Sequence, residues 1–304
     1  MNFENTKLIG HKFCLDGSTT AILFLYFGGK KENIIFTNPD HGAVDAAVKE
    51  ACNNFDGELL IVDVSVSMEC AKFLDKRKGV LLLDHHKTAI PLSKYSFCHI
   101  EKENKRCGSR MLFEYFADFW EGKEWFNSTK QNLDLLTKYV DGYDRWTREY
   151  SESNDLCALM NFMGQEMFIN RFFAISSPIL TEHEQYALKI IQKRNEETIK
   201  KELEKAVIIN RTIDGKSYRI VFGTGDELRS EIGNSFIEKL DADLAVIVNA
   251  SKVSFRSSEK SGFDCAKLAL RNKGGGHRLS GGSNVRNIIG ESFIELIDRN
   301  LKYE

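Results

Sequence analysis

The sequence predicts an α/β protein: an N-terminal doubly wound parallel sheet, joined by one long helix to a smaller α/β C-terminal domain. Three features of the 304 residues carry this expectation. Aliphatic runs without polar alternation, such as Leu59-Leu60-Ile61-Val62 and Val80-Leu81-Leu82-Leu83, read as strands covered on both faces. Segments of helical period lie between the strands, around 18–27, 42–52 and 68–77, which is the alternation of a parallel sheet. A charged stretch from 181 to 206 carries Ile190, Ile191, Ile199 and Leu203 at helical spacing and leads into a strand-rich second half. The expected limits are therefore 1–180 for the first domain, 181–206 for the connecting helix and 207–304 for the second.

Length and composition set the bounds. A chain of 304 residues is long enough for two domains, each with its own core. Hydrophobic residues at 42% and charged residues at 28% are those of an ordinary soluble protein, and a formal net charge of -2 provides no global basic field for long nucleic acids. Seven scattered cysteines, odd in number and without paired metal-finger spacing, point to reduced thiols in a cytoplasm. No apolar run approaches the roughly 20 residues of a membrane span.

The first element is a short strand ending at His11. The chain then turns through Cys14, Asp16 and Gly17 into an apolar helix with Ser18 or Thr19 near its start. His11, Cys14 and Asp16 thus crowd one strand-to-helix loop, where Cys14 reads either as a ligand or as a small buried residue. A strand at 33–38 leads to Pro39-Asp40-His41-Gly42, which imitates that loop but reads as a helix start, with Asp45 in the first turn. The next strand ends on Asp63. Leu81-Leu82-Leu83 then stops at Asp84-His85-His86, and parallel sheets put their chemistry at this carboxyl edge. Carboxylates beside imidazoles form a donor set for manganese, iron, cobalt or zinc rather than calcium.

Farther on, Cys107-Gly108-Ser109 opens an amphipathic helix, and Asp141-Gly142-Tyr143-Asp144-Arg145-Trp146 adds two candidate carboxylates. The segment 151–173, rich in Phe and Met, reads as helical packing. In the second domain, Val207 to Asn210 and Tyr218 to Phe222 flank Asp214-Gly215 as a hairpin, with a helix around 227–240. Strands follow at 244–249 and 252–257. Arg256, a helix from Asp264 and then Gly274-Gly275-Gly276-His277 complete the pattern, the glycines allowing close approach of a phosphate or base.

Asp84-His85-His86 after an apolar strand resembles the signature of the DHH phosphoesterase superfamily, and the Gly-Gly-Gly-His segment resembles its associated C-terminal domain. The likeness runs from about residue 8 to 282. The His11, Cys14, Asp16-Gly17 loop is similar to a subgroup that replaces the usual first aspartate with cysteine, which would soften that metal site. The resemblance implies a two-metal phosphodiesterase acting on short oligonucleotides or dinucleotides, with two divalent ions, manganese foremost. His11 and Cys14 would hold one ion, Asp16, His85 and Asp144 the other, and Asp63 both, with Asp141 as the fallback for Asp144. Asp84 would orient a metal-binding histidine, and His86 would face the scissile phosphate. Arg256, Gly274, Gly275, Gly276 and His277 would grip the nucleotide. Competing readings are a RecJ-like single-strand exonuclease, a pyrophosphate or polyphosphate hydrolase, and a noncatalytic nucleotide-binding protein. No membrane partner is expected, and the sequence leaves room for a homodimer.

Overall fold

The computed structural model describes residues 1–120, 127–147, 149–213, 215–226 and 228–286, in two compact units, one ending at Ile191 and the other beginning at Gln192. In the first unit, strands β1 (Thr6–His11), β2 (Ile34–Thr37), β3 (Glu58–Val62), β4 (Val80–Asp84) and β5 (Cys98–Ile100) are all parallel, in the order β2-β1-β3-β4-β5. The chain runs outward from β1 to β2 and returns to lay β3 on the other side of β1. That reversal opens a crevice at the carboxyl ends of β1 and β3, where doubly wound sheets bind ligands. His11 closes β1 and Asp63 follows β3, so the topology itself places both at the crevice.

Side chains alternate across this sheet with the strand period of two. Leu8, Leu60, Val62, Leu81 and Leu83 face α1 (Leu15–Tyr26), which lies in one core with α4 (Gly108–Tyr115), α5 (Asn127–Asp144), α6 (Glu152–Met163) and α7 (Gln165–Ala174). Ile9, Leu59, Ile61 and Leu82 face the opposite way, toward α2 (His41–Asn54) and α3 (Met68–Leu74). Burial on both faces explains the unbroken aliphatic runs, and each such side chain contributes about 1.5–3 kcal/mol. Helix α1 is buried continuously from Leu15 to Phe24, with Thr19 satisfying its hydroxyl on the Leu15 carbonyl at 2.9 Å.

Asp40 caps α2 by accepting from the Ala43 N–H. Asp45 lies beyond the first turn and serves another element: it accepts from the backbone N–H and hydroxyl of Ser67, the residue that caps α3. The 39–47 segment therefore ties two helices together.

Helix α8 (Glu182–Lys205) belongs to both units: Leu188 and Ile191 pack in the first core, Ile199 and Leu203 against the second. In the second unit, β6 (Val207–Ile213), β7 (Lys216–Thr224), β8 (Leu244–Val248), β9 (Lys252–Ser257), β10 (Gly275–His277) and β11 (Ser280–Asn284) form one sheet, ordered β10-β11-β9-β8-β7-β6. Only β7 and β8 run parallel, across the crossover helix α9 (Arg229–Lys239); α10 (Cys265–Arg271) covers the other face. Gly215 turns the β6–β7 hairpin at φ 79, while Asp214 lies outside the described residues.

Candidate metal centre

The β1–α1 loop is held in shape by its own backbone and by a distant helix. Phe13 takes φ 53, and a Cβ at Gly17 would stand 2.3 Å from the His11 carbonyl oxygen, so only glycine fits there. Gln165, the first residue of α7, accepts from the Phe13 N–H at 3.1 Å and donates to the Ser18 hydroxyl at 3.1 Å and the His11 carbonyl at 3.4 Å. This clamp fixes His11, Cys14 and Asp16. Sequence reasoning, which finds only packing in 151–173, misses Gln165 because its partners lie more than 140 residues away.

Asp63 is the centre of the arrangement. It sits at φ 61, a costly conformation for a non-glycine residue and a frequent mark of functional sites. One of its oxygens, Oδ2, lies 3.2 Å from His11 Nδ1; the other, Oδ1, lies 3.4 Å from His85 Nε2. The same His85 nitrogen lies 3.4 Å from Asp144 Oδ2. Of three donor groups among the described residues, one joins His11 with Cys14 and Asp63, one joins Asp16 with His85 and Asp144, and the third joins Asp63 with Asp84, His85 and His86; within each group the ligand atoms lie within 4.8 Å of one another.

The supporting contacts are specific. Asp16 accepts from the backbone N–H groups of Gly108 at 2.7 Å and Ser109 at 2.8 Å, the first amides of α4, where a helix favours negative charge. A Cβ on Gly108 would meet Asp63 Cβ at 2.9 Å and Asp16 Oδ2 at 3.0 Å, which accounts for glycine there. Asp141, in contrast, is committed elsewhere: it accepts from the Cys107 N–H at 2.7 Å and from Arg145, while Asp144 faces the cluster. Asp84 departs from expectation. Its side chain holds the ring of His86, at 2.7 Å from Nδ1, and accepts from the backbone N–H of the ligand-like His85 at 2.8 Å; Ser65 donates to its other oxygen.

The electrostatics call for a cation. Burial, followed by the charges of Asp63 and Asp144, pushes the Asp16 carboxyl up to about 7, against two amides that favour its anion. Asp144 is likewise raised by burial, and its buried Oδ2 accepts no hydrogen bond among the described residues. Burial also raises Asp63, but hydrogen bonds from His11 and His85 and the charges of His11 and His86 outweigh it and hold the carboxyl far below the usual range. Three carboxylates thus share histidines as their strongest compensating charges. A divalent ion fits this deficit and this donor set.

In the second unit, His277, Ser280 and Arg256 stand opposite one another across β10, β11 and β9, and so share a sheet face. All three are half-buried. Arg256 donates to the Ser230 hydroxyl at 2.6 Å, at the start of α9. The glycine triplet leads into an edge strand rather than forming a loose loop. Gly276 takes φ 140, and a Cβ on Gly274 would stand 2.0 Å from the Gly282 carbonyl oxygen; Gly275 alone of the three has open space around its Cβ position. Two of the three glycines are therefore demanded by the hairpin itself.

No family model matches the chain. Among curated proteins it is similar to oligoribonuclease NrnB of Bacillus subtilis (strain 168), at 25% identity over 265 residues. That match covers 80% of this chain and spans 63% of the relative's length. Among solved structures, the DHH domain of a member of a family of ribosomal proteins shares the fold at TM-score 0.61 and 14% identity, covering 98% of this chain and 87% of that one. RecJ from Thermus thermophilus in complex with Mn2+ does so at TM-score 0.56 and 14% identity, covering 97% of this chain and 51% of that one. The chain thus has the fold of the DHH domain, with its Asp84-His85-His86 strand end at the crevice.

Proposed function

We propose that the chain is a metal-dependent phosphodiesterase that hydrolyses short oligonucleotides or dinucleotides to nucleoside monophosphates. The observation that carries this reading is Asp63, which turns one oxygen toward each of two donor groups. His11, Cys14 and Asp63 would hold one divalent ion; Asp16, His85 and Asp144 would hold a second, with Asp63 common to both. Such a pair supplies stabilisation of phosphoryl charge and a water acidified for attack at neutral pH. Manganese suits the carboxylate-rich group.

The chain's own residues do the remaining work. Asp84 fixes the His86 ring through Nδ1, so Nε2 is the nitrogen that would meet substrate. Burial lowers the His86 pKa, but the adjacent Asp84 carboxylate outweighs it and raises the value, keeping a proton available for a phosphate oxygen or a departing ribose oxygen. Arg256 and His277 would bind the nucleotide, the guanidinium being suited to a phosphate. The relative's name, oligoribonuclease, supports the substrate class. A RecJ-like exonuclease on long single strands fits less well with a net charge of -2. The odd number of scattered cysteines supports a reducing compartment such as cytoplasm, and no described helix is long and apolar enough to cross a membrane.

The test is a substrate panel with manganese: dinucleotides, longer oligomers, cyclic dinucleotides and pyrophosphate, with products identified. Fastest turnover of dinucleotides or short oligomers to mononucleotides is expected. Preference for pyrophosphate, or for long single strands, would replace this reading.

A further inference from the structure

The two donor groups differ in kind. His11, Cys14 and Asp63 offer nitrogen, sulfur and oxygen; Asp16, His85 and Asp144 offer oxygen, nitrogen and oxygen, with a further Asp63 oxygen on the same side. We propose that the centre is a mixed one, in which the His11–Cys14–Asp63 half takes a thiophilic late first-row ion through the Cys14 sulfur while the other half takes a harder ion. This inference rests on the metal-centre reading above and specifies which ion each half prefers.

Three observations support it. Thiolate sulfur selects softer ions such as iron(II), cobalt(II) and zinc, whereas carboxylates suit manganese and magnesium, so one residue changes the ranking of ions at one half only. Cys14 is also the only one of the seven cysteines whose sulfur joins a donor group among the described residues; Cys107, close enough for Asp16 and Asp144 to act on it, places its sulfur beside the Ser109 hydroxyl at 3.4 Å. Finally, the loop that carries Cys14 is fastened by Gln165 at Phe13, His11 and Ser18, contacts that use none of the ligand atoms. On binding, the thiol gives up its proton to solvent and the sulfur lone pair forms the new bond to the ion.

The experiment uses cobalt(II) added anaerobically to the full chain, read by absorption spectroscopy and by metal content. A sulfur-to-cobalt charge-transfer band in the near ultraviolet is expected, saturating at one ion per chain and accompanied by proton release. Cys14→Ser and Cys14→Asp should abolish the band while retaining the far-ultraviolet circular dichroism of the parent, and Cys107→Ala should keep it. In competition, Cys14→Asp should shift the cobalt-to-manganese preference of one site by about 10-fold or more, the low end of what outer-shell changes alone cost a metal site. A parent protein that binds cobalt without the band, or a band that survives both Cys14 substitutions, overturns the proposal. Nucleotide hydrolysis is assayed separately on the same samples. A band without hydrolysis of any nucleotide leaves this proposal standing and removes the phosphodiesterase reading; hydrolysis without the band does the reverse.

Discussion

The two units carry their candidate residues in opposite ways. In the first, Asp63, Asp84 and His85 are buried at the ends of covered strands and Asp16 in the first turn of α1, fixed by backbone amides and by one another. In the second, Arg256, Ser280 and His277 lie half-buried on one face of a sheet whose edge strand ends at His277. Buried carboxylates that repel one another store a demand for positive charge; half-buried cations and ring nitrogens can meet a ligand that arrives from solvent. Under the proposed function, chemistry would fall to the first unit and recognition to the second.

The largest effect should come from breaking the first unit at its shared carboxylate. Asp63→Ala is expected to lower kcat by at least about 10²–10³-fold, the cost of one preorganised electrostatic partner, with the fold retained by circular dichroism. Near-parental turnover would remove Asp63 from the mechanism. Next, His277→Ala should reduce kcat/KM on a dinucleotide by roughly 10²-fold through lost positioning, with much less loss on bis-p-nitrophenyl phosphate and unchanged metal content. Equal losses on both substrates would place His277 in the chemical step and dissolve the division between the units.

A third change sharpens the packing argument. Gly108→Ala puts a methyl against Asp63 Cβ and Asp16 Oδ2, and overpacking of this kind costs about 1–3 kcal/mol. Denaturant melts should register that loss, and manganese titrations should show weaker binding; a variant unchanged in both would mean the α4 start yields easily. The smallest effect is with pH. Because burial and the neighbouring Asp63 and Asp144 charges push the Asp16 carboxyl up to about 7, protons should compete with metal below that value. Manganese affinity is expected to fall as pH drops from 7 toward 6, and calorimetry in that window should show proton release. For the metal-free protein the sign is opposite: a carboxyl whose folded pKa is raised above its unfolded value destabilises the fold as pH climbs through this range.

Much of this is legible in the sequence. His11, Asp63 and His85 can be found because strands buried on both faces read as aliphatic runs, and a polar residue at the end of such a run is conspicuous. Asp144 rather than Asp141 is legible only through likeness to a family pattern, since both carboxylates sit on α5 three residues apart. The role of Asp84 is not legible: which of two adjacent histidines its carboxylate holds depends on the turn after β4. Gln165 and the start of α4 leave no local signal either, because each acts on residues far away in the chain. The glycine triplet reads in the sequence as a phosphate nest, yet the hairpin accounts for Gly274 and Gly276 by itself.

Electron paramagnetic resonance of the manganese-loaded chain tests most directly whether two ions share Asp63. Two ions per chain are expected, with the exchange-coupled spectrum of a bridged pair, and Asp63→Asn should lose the coupling. A single ion, or two that give only the uncoupled six-line signal, would contradict it.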